Sequence, residues 1–379
     1  MFTRKITSAA ASVLAAAGLV IAAPHAVAAP DAPLGSVGIA GPAYPATPAP
    51  QDSTTGNGPG ASDFIDAFVQ SFANPRLAPV GADDWNCQPT AEHPTPVVLI
   101  HGTWENAYDN WSAMAPELKA EGYCVFTPNY GAADLLTKGG AGEVLPNTFG
   151  TKDIAESAGE IATYVDAVLA ATGADKVDLV GHSQGGLLAR QYLKFNGGAA
   201  KVDKVVTLGA TNHGTTLSGI GNLDRFIGDL GLNLDPLLDY VVGESGMQQV
   251  YDSPLQTSLN AGGDTLPGIT YTVIGTQYDE VTTPYDSTFL TAGEGATVTN
   301  ITLQDGCAAD HSDHVSMTYS PRLIDLVKNA LAPGTVAEPR CTANSPIMGA
   351  GSEVPLAEGL TPALGWLAQN TQPWVAPWK

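Results

Sequence analysis

The run Val177-Asp178-Leu179-Val180-Gly181-His182-Ser183-Gln184-Gly185-Gly186 is followed at once by Leu187-Leu188-Ala189-Arg190. An apolar strand ends in Gly-His-Ser-Gln-Gly and a helix begins without a linker, the strand–turn–helix context of a nucleophile elbow. The chemistry needs this arrangement for a steric reason. The serine sits at a sharp, strained bend, and glycines at 181 and 185 keep side chains out of the way where strand and helix approach. Its hydroxyl then stands at a helix N-terminus, where the dipole favours developing negative charge. A bare G-x-S-x-G recurs by chance; the strand before it and the helix after it make this one informative. Ser183 is therefore the expected nucleophile, and acyl transfer through a serine ester the expected chemistry.

A second string, Val97-Val98-Leu99-Ile100-His101-Gly102-Thr103-Trp104, is an apolar strand with a glycine at its exit. In proteins built on such an elbow, one oxyanion donor is an N–H of the loop after a neighbouring strand and the other belongs to the residue after the nucleophile. This assigns the backbone N–H groups of Thr103 and Gln184. His101 precedes the nucleophile and His182 lies within the elbow, so both are read as structural.

The base and acid follow the nucleophile in the order acid, then histidine. Only His213, His311 and His314 come after Ser183. His213 arrives directly after the next strand, too early for an acid to intervene. His311 and His314 remain, in Cys307-Ala308-Ala309-Asp310-His311-Ser312-Asp313-His314. The acid is expected at the exit of the preceding strand, in Thr276-Gln277-Tyr278-Asp279-Glu280-Val281, where Asp279 is favoured over Glu280 and Asp264. It would hold the imidazole tautomer and stabilise the imidazolium.

These residues need a scaffold, and the chain supplies alternating strands and helices between Thr95 and Leu331. Strands are predicted at Pro96–Ile100, Cys124–Pro128, Lys176–Val180, Lys204–Leu208, Tyr271–Gly275 and Val298–Leu303. The clearest helix runs from Thr151 to Thr172, with Ile154, Ala158, Ile161, Val165 and Leu169 on one stripe. A short helix after Ser62-Asp63 carries Phe64, Phe68 and Phe72. Such alternation predicts one α/β domain, residues 62–333, with a mostly parallel sheet covered on both faces. Within it, residues 217–266 form an insertion with Ile220, Leu223, Phe226, Ile227 and Leu230 at helical spacing. It reads either as an apolar lid over the Ser183 pocket or as an ordinary buried helix pair.

Residues 1–28 read as a secretory signal peptide: Arg4 and Lys5, an apolar Ala-rich stretch from Ile6 to Ala23, and Ala26-Val27-Ala28 as cleavage site. A single membrane anchor is the alternative, disfavoured by weakly hydrophobic alanines and by Pro24. Residues 29–61 form a Pro/Ala/Gly-rich linker, and 334–379 a tail with Trp366, Trp374 and Trp378. In an exported chain the four cysteines imply two disulfides, expected as the sequence neighbours Cys87–Cys124 and Cys307–Cys341, the second tying down the tail. A formal net charge of -22 repels nucleic acid and anionic membrane surfaces and fits neutral substrates. No cofactor and no metal site is expected, and the chain is expected to be a monomer.

Together these motifs resemble the bacterial class 2 secreted lipases of the α/β-hydrolase superfamily. The resemblance covers roughly Asn86 to Leu331 and is carried by Pro94–Thr103, Gly122-Tyr123-Cys124-Val125-Phe126, Gly181–Gly186, Asn212-His213-Gly214-Thr215 and Thr276–Val281. It implies the α/β-hydrolase fold, favours His314 over His311, and completes a triad of Ser183, His314 and Asp279. It also implies hydrolysis of acylglycerols or simpler esters, with contact at a lipid interface, in an extracellular or cell-envelope setting. An acyltransferase acting on envelope lipids or glycans would use the same triad. A non-catalytic surface binder on the same scaffold would not need it. The Pro-rich arm and Trp-bearing tail lie outside the pattern.

Overall fold

Along Val97–Ile100 every side chain is apolar, so this strand has to be covered on both faces. The computed structural model describes residues 56, 58–61, 63–73, 77–132, 148–216, 218–219 and 243–347. The expected signal segment, most of the linker, residues 220–242 of the insertion and the Trp-bearing end of the tail lie outside them.

Helix α1 (Phe64–Ala73) precedes strand β1 (Val97–Ile100), helices α2 (Ala107–Trp111) and α3 (Met114–Ala120), and strand β2 (Val125–Phe126). Helix α4 (Ile154–Thr172), strand β3 (Val177–His182), helix α5 (Gln184–Phe195) and strand β4 (Val202–Leu208) follow. The remainder comprises α6 (Gly243–Gln248), α7 (Pro254–Asn260), β5 (Thr270–Gly275), β6 (Thr297–Thr302) and α8 (Pro321–Leu331). The six strands form one sheet in the order β2-β1-β3-β4-β5-β6, and every neighbouring pair is parallel.

Alternation along β1 sorts its residues between two cores. Val98 and Ile100 join Ile154, Ile161, Val165, Leu187 and Leu188 on the face covered by α4 and α5. Val97 and Leu99 join Trp111, Met114, Leu118, Leu323 and Val327 on the face covered by α2, α3 and α8. Each such fully buried aliphatic side chain contributes roughly 1.5–3 kcal/mol. In a third cluster, Phe64 and Phe68 of α1 pack with Trp104, Tyr108, Val281, Val315 and Tyr319. The residues described at the end of the expected linker are held to the domain: Gly56 N–H donates to the Ala82 carbonyl, and the Tyr108 hydroxyl to that of Pro59.

Boundaries depart from the sequence expectation where side chains compete for backbone. β2 stops at Phe126 because the Thr127 N–H donates to the Asp83 carboxylate instead, at 2.8 Å, and Pro128 has no N–H to offer. α4 starts at Ile154 because Asp153 caps it, accepting from the Glu156 N–H at 2.8 Å, while the Thr151 and Lys152 N–H groups both go to the Gly131 carbonyl. Its last buried apolar side chain is Val168, with Leu169 half-buried and Thr172 buried at the end.

The strand order fixes where a site can form. The connection from β1 leads to β2 on one side and that from β3 leads to β4 on the other, so their exits diverge and leave a crevice at the strands' C-terminal ends. Gly102–Trp104 leave β1 at that crevice, and Ser183 leaves β3 beside them.

Candidate active site

At the end of β3 the backbone of Ser183 takes φ 52° and ψ −124°, a region that costs a non-glycine residue about 1–3 kcal/mol. The turn is held by the Ser183 N–H donating to the Leu208 carbonyl and the Gly186 N–H to the Ser183 carbonyl. A methyl group at 185 would run into the carbonyls of Ile100 and His101, so α5 presses its first turn directly on the end of β1. The serine is only 2% exposed.

From Ser183 a continuous chain of contacts leads away. Its Oγ lies 2.9 Å from Nε2 of His314, whose Nδ1 lies 2.9 Å from Oδ2 of Asp279. Asp279 comes from the turn after β5, where its Oδ1 accepts the N–H groups of Val281 at 3.0 Å and Thr282 at 2.7 Å. Two local hydrogen bonds on one oxygen aim the other at the imidazole. The orientation thus requires the ring to donate from Nδ1 and leaves Nε2 to accept from the serine. Burial by itself lowers the basicity of His314; the charge and hydrogen bond of Asp279, with Glu105 and Asp313 farther out, outweigh it, and the imidazole lies above its ordinary pKa.

The His314 loop is built into its surroundings. The Thr276 hydroxyl donates to the Ser312 carbonyl at 2.5 Å, joining the loop of Asp279 to the loop of His314. Asp313 Oδ1 accepts from the Ser316 N–H at 2.9 Å and Oδ2 from the Ile347 N–H at 2.6 Å. Gly209, at the end of β4, packs beneath the imidazole–carboxylate bond with φ 52°. A methyl there would approach Met317 Sδ to 2.9 Å and Asp279 Oδ2 to 3.1 Å.

The N–H groups of Thr103 and Gln184 donate to no carbonyl or side chain among the described residues. Around them the side chains interlock. The Thr103 hydroxyl oxygen accepts from Gln184 Nε2 at 3.1 Å and from Gln249 Nε2 at 2.9 Å. Gln184 Nε2 also donates to the Gly150 carbonyl at 2.8 Å, which accepts from the Ser245 hydroxyl at 2.7 Å as well. Ser245 and Gln249 belong to the returning end of the insertion, so that segment is fastened to the loop after β1.

The other histidines are engaged elsewhere. His311 forms an edge contact with Tyr278 and its N–H donates to the Asn344 carbonyl at 2.9 Å. His213 lies 3.0 Å from Asp264 and 2.9 Å from the Ser287 carbonyl. His101, pushed down to about 4 by burial, stacks on Tyr130. His182 reaches the carbonyl of His314 from Nε2 at 2.9 Å and Glu105 from Nδ1 at 3.0 Å. Glu105, Gly209 and Gln249 were not singled out from the sequence. Each is one residue in a loop, without a repeat or spacing to mark it. The cysteines pair as Cys87–Cys124 and Cys307–Cys341. Among the described residues no three His, Cys, Asp or Glu side chains gather as a metal site would require.

A family described as alpha/beta hydrolase fold matches residues 95–226. The chain is 30% identical over 209 residues to a triacylglycerol lipase of Pseudarthrobacter phenanthrenivorans, a match covering 53% of this chain and 56% of that protein. A triacylglycerol lipase of Burkholderia plantarii matches at the same identity over 53% of this chain and 49% of its own length. The matched region thus spans about half the length of these relatives. Among solved structures, Aspergillus fumigatus lipase B superposes with a TM-score of 0.49 at 19% identity, covering 69% of this chain and 60% of that one. The parallel six-stranded sheet flanked by helices, and the match over residues 95–226, establish that this chain has the α/β-hydrolase fold.

Proposed function

We propose that the chain is an exported serine hydrolase that cleaves carboxylic esters, as a triacylglycerol lipase or carboxylesterase. The observation that carries this reading is the unbroken hydrogen-bonded series from Ser183 through His314 to Asp279, with the serine at a strained elbow. His314 Nε2 takes the hydroxyl proton as Ser183 Oγ attacks the ester carbonyl. The N–H groups of Thr103 and Gln184 receive the oxyanion, each such donor being worth about 3–4 kcal/mol. The imidazolium, held by Asp279, then protonates the leaving alcohol. Water activated by the same ring releases the acid from the acyl-enzyme.

Neutral acylglycerols or simple esters suit a chain of formal net charge -22, and the triacylglycerol lipases it is similar to support that substrate class. The signal segment at 1–28 and two disulfides fit an oxidising, extracytoplasmic setting. Whether residues 217–266 serve as an apolar lid or acyl-chain wall, or as an ordinary buried helix pair, belongs to the same reading; the hydrogen bonds of Ser245 to Gly150 and of Gln249 to Thr103 support a role beside the site.

The test uses p-nitrophenyl esters of graded acyl length with wild type and Ser183→Ala. Wild type is expected to turn over and to show a length preference, whereas Ser183→Ala retains the fold and loses nearly all activity. A folded wild type with no esterase activity would leave a non-catalytic binder, and turnover only with a sugar or glycerol acceptor would favour the acyltransferase.

A further inference from the structure

Beneath the elbow lies a second acid–histidine pair that the reaction above does not use. Glu105, in the loop after β1, is 6% exposed, and His182, the residue before the nucleophile, is fully buried. One carboxylate oxygen, Oε2, accepts the Gly102 N–H at 2.8 Å and faces His182 Nδ1 at 3.0 Å. The far side of the same ring, Nε2, faces the carbonyl of His314 at 2.9 Å. A carbonyl only accepts, so Nε2 carries a proton; a carboxylate only accepts, so Nδ1 carries one too. Asn110 fits this assignment. Its amide lies 2.9 Å from Nδ1 and its Oδ1 has no other partner, so turning the amide brings that oxygen onto the same ring N–H.

From this geometry, and resting on the ester-hydrolase reading, we infer that Glu105 is a positioning residue: through an imidazolium at His182 it holds the backbone of the catalytic His314, and through Gly102 it holds the oxyanion loop. One carboxylate thereby sets the two loops that must converge on Ser183. A buried charge in this place is tolerated because it is paired and hydrogen-bonded. Burial raises the Glu105 carboxyl, but the His182 ring, then His314 and His101, more than offset this and hold it below the usual carboxylate range. The other titratable neighbours of the pair are His314, its ring centroid 5.0 Å from that of His182; His101, which feels both charges; Asp109, whose carboxyl burial and the charge of Glu105 push well up; and the buried hydroxyls of Tyr130 and Tyr319.

The experiment compares wild type with Glu105→Gln, which preserves shape and an acceptor for Gly102 but removes the charge. With a p-nitrophenyl ester, kcat is expected to fall about 10- to 100-fold, the size of effect a small misplacement of catalytic groups produces, while KM stays within about twofold. A residue that only supported the fold would move Tm and KM without this split. In ¹⁵N-histidine-labelled protein at neutral pH, His182 should carry protons on both ring nitrogens in wild type and on one in Glu105→Gln. An unchanged kcat, or a bare Nδ1 in wild type, overturns the inference. The wild-type spectrum decides it even if Glu105→Gln fails to fold. Because the spectrum needs no turnover, a wild type lacking esterase activity would sink the ester-hydrolase reading while the state of His182 still judged the pair.

Discussion

In the proposed reaction His314 can act as a base only while it is neutral, and its environment raises its pKa: burial opposes protonation, but Asp279, with Glu105 and Asp313 behind it, prevails. The acid limb of kcat/KM, which reports the free enzyme, is therefore expected above the ordinary histidine value of about 6.5, with activity lost as pH falls through it. Asp279→Asn removes the charge and the ring's orienting acceptor. Its plateau should fall on the order of 10⁴-fold, and the residual activity should titrate at lower pH, because burial then acts without the opposing carboxylate. A pH–rate profile of both proteins checks the two statements. A wild-type profile that stays flat down to pH 5 would remove His314 as the base.

At the scale of elements, the elbow depends on how closely α5 approaches β1. At Gly185 the obstacle to a side chain is backbone, the carbonyls of Ile100 and His101, and no rotamer can relieve that. Gly185→Ala should cost at least about 3 kcal/mol, in the range reserved for such backbone conflicts, and urea denaturation measures it. If the variant kept wild-type stability, the strand and helix cannot pack so tightly at Gly185. The same contact explains why Ser183 is held in place: it sits between two elements that cannot slide without a clash.

Across the whole molecule, the C-terminal strap reaches the base loop from outside the sheet. Cys341 is bonded to Cys307; Asn344 Nδ2 donates to the Ser312 hydroxyl at 2.7 Å and the Ser316 carbonyl at 3.1 Å. The Ile347 N–H then donates to Asp313. Arg340 anchors the strap to Asp325 and Glu117, both at 2.8 Å. With its cysteines 34 positions apart in sequence, the disulfide contributes roughly 3–4 kcal/mol in the chain-entropy model. Replacing Cys307 and Cys341 by serine should lower Tm, and should reduce kcat at temperatures where the sheet remains folded, because the loop carrying His314 loses its outer support. Activity and circular dichroism followed together through a thermal ramp would separate the two transitions; coincident loss would argue that the strap only stabilises.

Much of this was written locally in the sequence. Short β-branched and apolar runs mark the strands; β1 is wholly apolar because it is buried on both faces, whereas the edge strand β6 is largely exposed and carries Thr and Asn. The elbow was legible because its glycines, serine and flanking elements are contiguous. Asp279 and His314 are read as acid and base candidates from their order relative to the strands, and the choice of His314 over His311 draws on family resemblance; the chain alone does not say which of two histidines three residues apart turns inward. That depended on tertiary contacts: Asp313 is drawn to Ser316 and Ile347, and the His314 carbonyl is held by His182. Glu105, Gly209 and Gln249 were invisible for the same reason. Local pattern specifies which residues are buried and in what element, because hydrophobicity and backbone geometry act between near neighbours. Which buried polar groups meet, 77 residues apart for Glu105 and His182 and 131 for Ser183 and His314, was decided only when the sheet brought its strand ends together.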